Sequence, residues 1–155
     1  MTFFRNSVVV SLCVVAITMV ISILAAFSLS RMRFWGSGAL ATGVFLTYLI
    51  PETLLFIPLF KMFAVINEYT GIQLIDRWWA LLLLYPTLTV PFCTWLMMGY
   101  FKAVPKELEE CARIDGASRW QAMLYIIIPV AIPGILSAGI FAFTLSWNEF
   151  IYALV

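Results

Sequence analysis

Charged residues are scarce in this sequence, and histidine is absent from it. Charged residues make up 11% of the 155 residues, whereas hydrophobic residues make up 64%. A soluble domain carries about 25% charged residues, and the mean hydropathy here is +1.03. One soluble core could not bury so much apolar surface. The composition therefore excludes an ordinary soluble domain and predicts that a lipid bilayer surrounds the chain.

Other absences exclude several classes of function. The net charge is +1, so the chain lacks the basic patch that would neutralise nucleic-acid phosphates. Cys13, Cys93 and Cys111 are too far apart to suggest a disulfide set or a metal site. No phosphate-binding GxxxxGK[ST] loop occurs, and no nucleophile–base pair suggests an enzyme. The sequence predicts no cofactor, no metal, no nucleic-acid partner and no catalytic residue.

Four apolar segments are long enough to cross a bilayer. A spanning helix needs about 20 apolar residues, and in lipid all its backbone polar groups must pair within the segment. The segments are 6–30, 34–66, 78–101 and 124–147. Pro86, Pro91, Pro129 and Pro133 predict kinks in the last two. The sequence thus predicts an all-α, polytopic transmembrane bundle with four spans, contacting membrane lipid.

The distribution of basic residues predicts the orientation of these spans, because Lys and Arg concentrate in short cytoplasmic loops. The first connection carries Arg31 and Arg33. The third connection carries Lys102, Lys106, Arg113 and Arg119. We therefore expect both to be cytoplasmic and the connection at 67–77 to be external.

The third connection has a pattern of its own, within a loop at 102–123. Pro105 suits the first position of a helix, and Leu108, Cys111 and Ala112 have the spacing of one small apolar face.

Gly116 can adopt a positive φ and end that helix. Ser118 and Gln121 have the capping-box spacing of a second helix. The sequence predicts two short helices with a bend between them, leading into the last span. Glu107 and Glu109, in contrast, are expected on a solvated face.

The spacing of this loop resembles the coupling-loop signature of ABC importer permeases. That signature reads Glu-Ala-Ala, three residues, Gly, nine residues, Ile, one residue and Leu-Pro. Here it reads Glu110-Cys111-Ala112, Gly116, Ile126 and Ile128-Pro129, with departures at Cys111 and Ile128. Weaker landmarks at 6–7, 24–31, 33–34, 57–60, 91–96 and 147–150 follow in family order. The chain is similar to the carbohydrate-type, maltose-permease-like branch.

The resemblance implies a bacterial inner-membrane permease subunit. Its partners would be a cytoplasmic ABC ATPase, a second homologous permease and an extracytoplasmic solute-binding protein. The solute would be a sugar, an oligosaccharide or a glycerol-phosphate-like polyol. The implied docking-loop residues are Glu110, Cys111, Ala112, Asp115, Gly116 and Pro129. Asp115 either caps the turn or pairs with Arg113 or Arg119.

The resemblance also bears on the extent of the chain. The predicted topology places both ends of the sequence outside, whereas subunits of this family begin and end in the cytoplasm. We therefore expect one permease domain over 1–155 that represents four spans of six, with one missing at each end. A complete four-helix protein is the alternative.

Three polar residues inside or next to the spans are candidates for a translocation path. Glu52 follows Pro51 within an apolar segment, where a carboxylate should face the bundle interior or water. Glu52 therefore has two possible roles: it lines the translocation path, or it belongs to a structural kink of the helix. Asn148 and Glu149 either approach the path or simply end a helix anchored by Trp147. A second functional hypothesis, a self-contained small transporter or channel, would depend on Glu52.

Overall fold

The fold is known from a computed structural model. It describes residues 2–32, 34–71 and 78–149, except for the side chains of residues 2, 3, 52, 53 and 70. Arg33, residues 72–77 of the predicted external connection and residue 150 of the last landmark lie outside the described residues. Every regular element in the described ranges is helical, so the all-α prediction is confirmed.

The chain is a succession of long and short helices. In chain order they are α1 (Thr2–Arg31), α2 (Ser37–Tyr48), α3 (Glu52–Thr70), α4 (Trp78–Ala103), α5 (Lys106–Ile114), α6 (Arg119–Ala122), α7 (Ile128–Val130) and α8 (Ile132–Asn148). A π-helical turn, Met123–Ile127, joins α6 to α7. The short helices α5 and α6 correspond to the two that the sequence predicts for the third connection.

The central packing unit consists of α1, α4 and α8. Its buried cluster includes Phe27 from α1, Met97 and Phe101 from α4, and Ala138 and Ala142 from α8. The small residues of α8 let the helix backbones approach closely, which is how helices associate in lipid. The cluster continues to the π-helical turn, so the element that follows the loop is packed into the bundle.

A second buried cluster lies at the other end of α1 and α4. Val10 and Val14 of α1 and Leu84 and Tyr85 of α4 meet Phe63 of α3 there. Helix α3 is thereby packed against the bundle at the end remote from the third connection.

Two hydrogen bonds from buried hydroxyls join helices inside the bundle. The hydroxyls of Thr18 and Thr89 lie 2.7 Å apart in a buried hydrogen bond. One turn further along α1, the Ser22 hydroxyl donates to the backbone carbonyl of Val90 at 3.4 Å. Such pairs compensate for burying hydroxyls away from water.

The segment 34–66 is not one helix, which corrects the expectation of a single span. Helix α2 ends at Tyr48 and α3 begins at Glu52. The break falls at Pro51, which has φ −57° and ψ 130°. Proline disfavours a helical conformation in the residue that precedes it, so the helix ends there. The sequence already carried this signal.

The segment 124–147 is also broken. The helical stretches Arg119–Val130 and Ile132–Asn148 are bent by 77° relative to each other. The break falls at Ala131, between Pro129 and Pro133. Pro133 has no N–H to donate across the break to the Pro129 carbonyl. The π-helical turn before the break widens the hydrogen-bond ladder, as is common at such breaks. The predicted kink in this segment is confirmed.

Two described helices, Phe4–Arg31 and Trp78–Ala103, are long and apolar enough to cross a membrane by length and composition. A third span results if the bent pair is counted as one. The described residues thus give two or three spans by this measure, where the sequence predicts four.

Candidate functional site

The third connection leaves the bundle at the end of α4 and immediately starts α5. Pro105 is the residue before the helix, with φ −56° and ψ 135°. This corrects the expectation that it is the first helical residue. Glu107 and Glu109 lie in the first turn of α5, where carboxylates are stabilised by the positive end of the helix dipole.

The C-terminal end of α5 is closed by glycine. Gly116 has φ +90°, which confirms the predicted positive φ. The Ala117 N–H donates to the Ala112 carbonyl at 2.9 Å, and the Gly116 N–H donates to the Arg113 carbonyl at 3.2 Å. These two bonds form a Schellman motif, which requires a left-handed residue at the position of Gly116. Gly116 therefore turns the chain sharply between α5 and α6.

The next helix begins with the predicted capping box. The Ser118 backbone N–H donates to Oε1 of Gln121 at 2.7 Å. The Gln121 backbone N–H donates to Oγ of Ser118 at 3.3 Å. Both bonds satisfy N–H groups that a helix start leaves without partners. Local hydrogen bonds donated by backbone N–H groups thus hold each short helix at the bend.

Helix α5 has an inward and an outward face. Ala112 is buried, with 8% exposure, and the Glu109 side chain is 16% exposed. Glu110 and Cys111 are exposed. The expectation that Ala112 shares an accessible face with Cys111 is wrong, because α5 packs one side against α6 and the π-helical turn. Glu109 is likewise not on a solvated face.

An apolar residue that the sequence analysis did not select dominates the outward face. Ile114, in the last turn of α5, is 84% exposed. Burying an isoleucine side chain stabilises a protein by about 1.5–3 kcal/mol relative to leaving it in water. The signal was available in the sequence, since Ile114 is an isolated large apolar residue between charged ones.

Asp115 is the C-cap residue of α5. Its backbone N–H donates to the Cys111 carbonyl at 3.0 Å. In the described part of the chain its carboxylate forms no ion pair with Arg113 or Arg119. Of the two roles left open by the sequence, the geometry therefore favours a place in the turn.

Arg31 is the second residue that sequence reasoning missed, since it was interpreted only as a determinant of topology. It ends α1, and its Nη2 donates to the backbone carbonyls of Phe101 at 2.5 Å and Val104 at 2.6 Å. Its Nη1 lies 3.9 Å from Oε2 of Glu109. The first and third connections thus meet at the same end of the bundle, as the predicted topology requires.

Pro129 lies away from the bend at Gly116. It belongs to α7 and precedes the 77° break. It is exposed and lies between the π-helical turn and α8.

The candidate path residues Glu52, Asn148 and Glu149 lie outside the loop formed by α5 and α6. Glu52 begins α3, and its side chain lies outside the described residues. Asn148 ends α8, and the Glu149 carbonyl accepts a hydrogen bond from the Tyr85 hydroxyl at 3.5 Å. Trp147 stacks on Phe143, with ring centroids 5.5 Å apart. The contacts of this end leave both interpretations of Asn148 and Glu149 open.

The described residues contain no cluster of three or more metal-ligating side chains. The site is a bent, capped helix pair at one end of a helical bundle, and it exposes apolar side chains.

The chain is similar in sequence to several permease proteins. One of these relatives is the sulfoquinovosyl glycerol transport system permease protein SmoH of Agrobacterium fabrum, which is 35% identical over 98% of this chain and 51% of its own length. Another is the trehalose transport system permease protein SugB of Mycobacterium tuberculosis, 33% identical over 96% of this chain and 52% of that protein. The chain thus spans about half the length of these curated relatives.

A solved structure shares the fold. A bacterial ABC transporter involved in the import of the acidic polysaccharide alginate matches with a TM-score of 0.81 and 23% identity. The match covers 97% of this chain and 50% of that one. The sequence model of the binding-protein-dependent transport system inner membrane component matches residues 7–155. The chain therefore belongs to the family of binding-protein-dependent transport system inner membrane components.

Proposed function

We propose that the chain is the central part of a permease subunit in an ATP-driven importer, and that α5 docks on a separate cytoplasmic ATPase. The observation that carries this proposal is the outward face of α5. Cys111 and Ile114 are exposed on it, and Leu108 is 42% exposed at its flank. Glu110 adds a carboxylate to the same exposed side.

The apolar side chains on the outward face of α5 are in a different environment from the exposed apolar side chains of the long helices. The long helices expose leucine, isoleucine and valine to lipid. Helix α5 is amphipathic and carries five charged residues among its nine, Lys106 to Ile114 inclusive, so it lies in water or against protein. Exposed apolar residues with a charged rim mark protein interaction sites, and an amphipathic helix commonly docks in a groove of its partner.

The loop is also suited to transmit a displacement. The Schellman motif closes α5 and the capping box opens α6. From there the π-helical turn joins the buried cluster of the bundle. A push on α5 would therefore move α7 and α8 instead of being absorbed in a flexible linker.

The energy for transport would come from the partner, because the sequence carries no phosphate-binding glycine loop. The full assembly would contain two ATPase subunits, a second related permease and an extracytoplasmic solute-binding protein. The family description supports the solute-binding protein, and the permease names of the relatives support a role within a larger transport system. Of the implied docking residues, Glu110, Cys111 and Asp115 lie on the exposed side, whereas Gly116 sets the bend.

A sugar or a related polyol is the proposed solute. The relatives include permeases named for a sugar glycerol and for trehalose, and the carbohydrate-type landmarks of the sequence agree with them. Uptake by the assembled transporter of a panel of labelled sugars would test this. Accumulation of amino acids or inorganic ions instead would contradict it. The alternative, a self-contained transporter, does not explain why α5 exposes apolar side chains on its outward face.

Capture of the ATPase tests the docking proposal. The full-length permease, co-expressed with its ATPase, should retain it in detergent. Ile114→Asp places a charge on the outward face and should abolish this capture, whereas Ile114→Leu keeps the face apolar and should preserve it. Equal capture by both variants would overturn the assignment of this face.

A further inference from the structure

The most unusual buried group in the described chain is the guanidinium of Arg31. Its side chain is 3% exposed. It lies where the end of α1, the end of α4 and the inward face of α5 meet. A buried charge is costly unless it is paired and hydrogen-bonded, so its partners indicate what the arginine does.

One set of partners belongs to α4. The Val104 N–H donates to the Phe101 carbonyl at 3.3 Å. The donor expected four residues after Phe101 is missing, because that residue is Pro105, which has no N–H. The Arg31 guanidinium supplies a donor to the Phe101 carbonyl and to the Val104 carbonyl. A cation at the C-terminal end of a helix is also favoured by the helix dipole. Arg31 thus closes α4 from a neighbouring helix, 70 residues away in sequence.

The other partner belongs to α5. Nη1 of Arg31 and Oε2 of Glu109 are 3.9 Å apart, which is too long for a hydrogen bond. Nη1 and Nε are buried and make no hydrogen bond within the described residues. A charge-assisted N–H···O bond has a length of about 2.7–2.9 Å. A displacement of about 1 Å would therefore turn this ion pair into a hydrogen bond and satisfy Nη1.

There is space for such a displacement. A polar pocket borders Arg31 and Glu109 and is also lined by Lys106, Glu110 and Arg113. Arg119 of α6, together with Met32 and Phe34, completes the lining of this pocket. The bond to Arg31 can therefore tighten without repacking the bundle.

We propose that Arg31 is a positioning residue for transport, which fixes α5 to the ends of α1 and α4 and pairs fully with Glu109 when a docked ATPase presses α5 towards the bundle. The inference rests on the proposed function. The pair gives α5 two positions, and the unsatisfied donor on Arg31 favours the tightened one. Movement of the ATPase would thereby reach α1 and α4 directly, in addition to the route through α7 and α8.

Two variants separate this role from simple capping of α4. Glu109→Gln leaves the bonds from Arg31 to the α4 carbonyls in place and removes only the carboxylate. Arg31→Lys keeps the charge but loses the planar fork of donors. The matched control is Glu68→Gln, the same change at an exposed position near the end of α3. The full-length permease, assembled with its ATPase in proteoliposomes, is measured for ATPase capture and for solute transported per ATP hydrolysed.

Both Glu109→Gln and Arg31→Lys should retain the ATPase but transport about fivefold less solute per ATP, the lower range of a typical coupling between sites. Glu68→Gln should match the wild type. Unchanged transport per ATP in Glu109→Gln would overturn the inference, and a defect confined to Arg31→Lys would reduce Arg31 to a helix cap. If the wild-type permease itself captures no ATPase, the proposed function fails instead, and the inference fails with it.

Discussion

The ring of Tyr100 in α4 lies directly on the backbone of Gly134 in α8. A Cβ atom built on Gly134 would be 2.3 Å from Cγ of the tyrosine ring, well inside any contact that two carbon atoms tolerate. The absence of a side chain at 134 is therefore what allows α8, just after the 77° bend, to pack against α4.

Gly134→Ala should destabilise the packing of α8 on α4. The methyl group meets the base of the Tyr100 ring, so the helices or the ring must shift, at a cost of about 1–3 kcal/mol. The melting temperature of the purified full-length permease in detergent measures the effect. Gly139→Ala is the matched control, because its Cβ would be 4.0 Å from Val15. Equal melting temperatures for the two variants would contradict this account of Gly134.

Gly116→Val should impair transport while leaving the protein inserted in the membrane. A Cβ at Gly116 meets no atom within 4 Å, so the effect within this chain is conformational and not a steric clash. A left-handed backbone costs a non-glycine residue about 1–3 kcal/mol, and β-branched residues tolerate it least. Uptake by the assembled transporter, compared with membrane insertion of the variant, measures the effect.

Gly116→Asn is the control at the same position. Asparagine accepts the left-handed conformation more readily than other residues, so this variant should keep most of the uptake. If valine transports as well as asparagine, the bend at Gly116 is unimportant for coupling.

Local rules predicted much of the loop from the sequence. The positive φ of Gly116 and the capping box of Ser118 and Gln121 depend on residues within a few positions of each other. Such patterns are visible in one sequence. The outward exposure of Ile114 was also accessible to the same reasoning but was overlooked.

Contacts between distant segments were not predictable in the same way. The bond from Arg31 to Phe101 joins residues far apart in the chain, and a topological role already accounted for a basic residue at that position. The burial of Ala112 depends on how α5 packs on α6, which the spacing of small residues does not reveal. Pro51 indicated a break in the segment 34–66, but the length of the apolar run led to the prediction of a single span.

Thr18→Val should remove the hydrogen bond between α1 and α4. Hydrogen bonds of this kind contribute about 0.6 kcal/mol on average between membrane helices, with a maximum of about 1.7. A small decrease in the melting temperature is therefore expected. Thr144→Val is the control, since its hydroxyl is exposed and bonds only to the Ile140 carbonyl of its own helix. A larger loss in the control would argue against the Thr18–Thr89 pair as a stabilising contact.

Thiol labelling tests the orientation of the bundle. In a background without the three native cysteines, Tyr69→Cys should react with a membrane-impermeant reagent added from outside. Trp35→Cys should react only after the membrane is opened. Both native side chains are well exposed, at 84% and 100%. The side of the membrane on which each cysteine lies therefore decides whether the reagent reaches it. The reverse labelling pattern would place the coupling loop outside the cell.

The central claim, that the outward face of α5 contacts an ATPase, can be tested without mutating any residue of that face. Cys111 is a native, exposed thiol on it. In a full-length permease without Cys13 and Cys93, a photoreactive maleimide attached to Cys111 should crosslink to the co-expressed ATPase on illumination. The same probe on Tyr69→Cys, in a background that also lacks Cys111, serves as the control.

An adduct of permease and ATPase from Cys111, with none from position 69, is the predicted result. An adduct from position 69, or none from Cys111 in a preparation that retains the ATPase, would contradict the account.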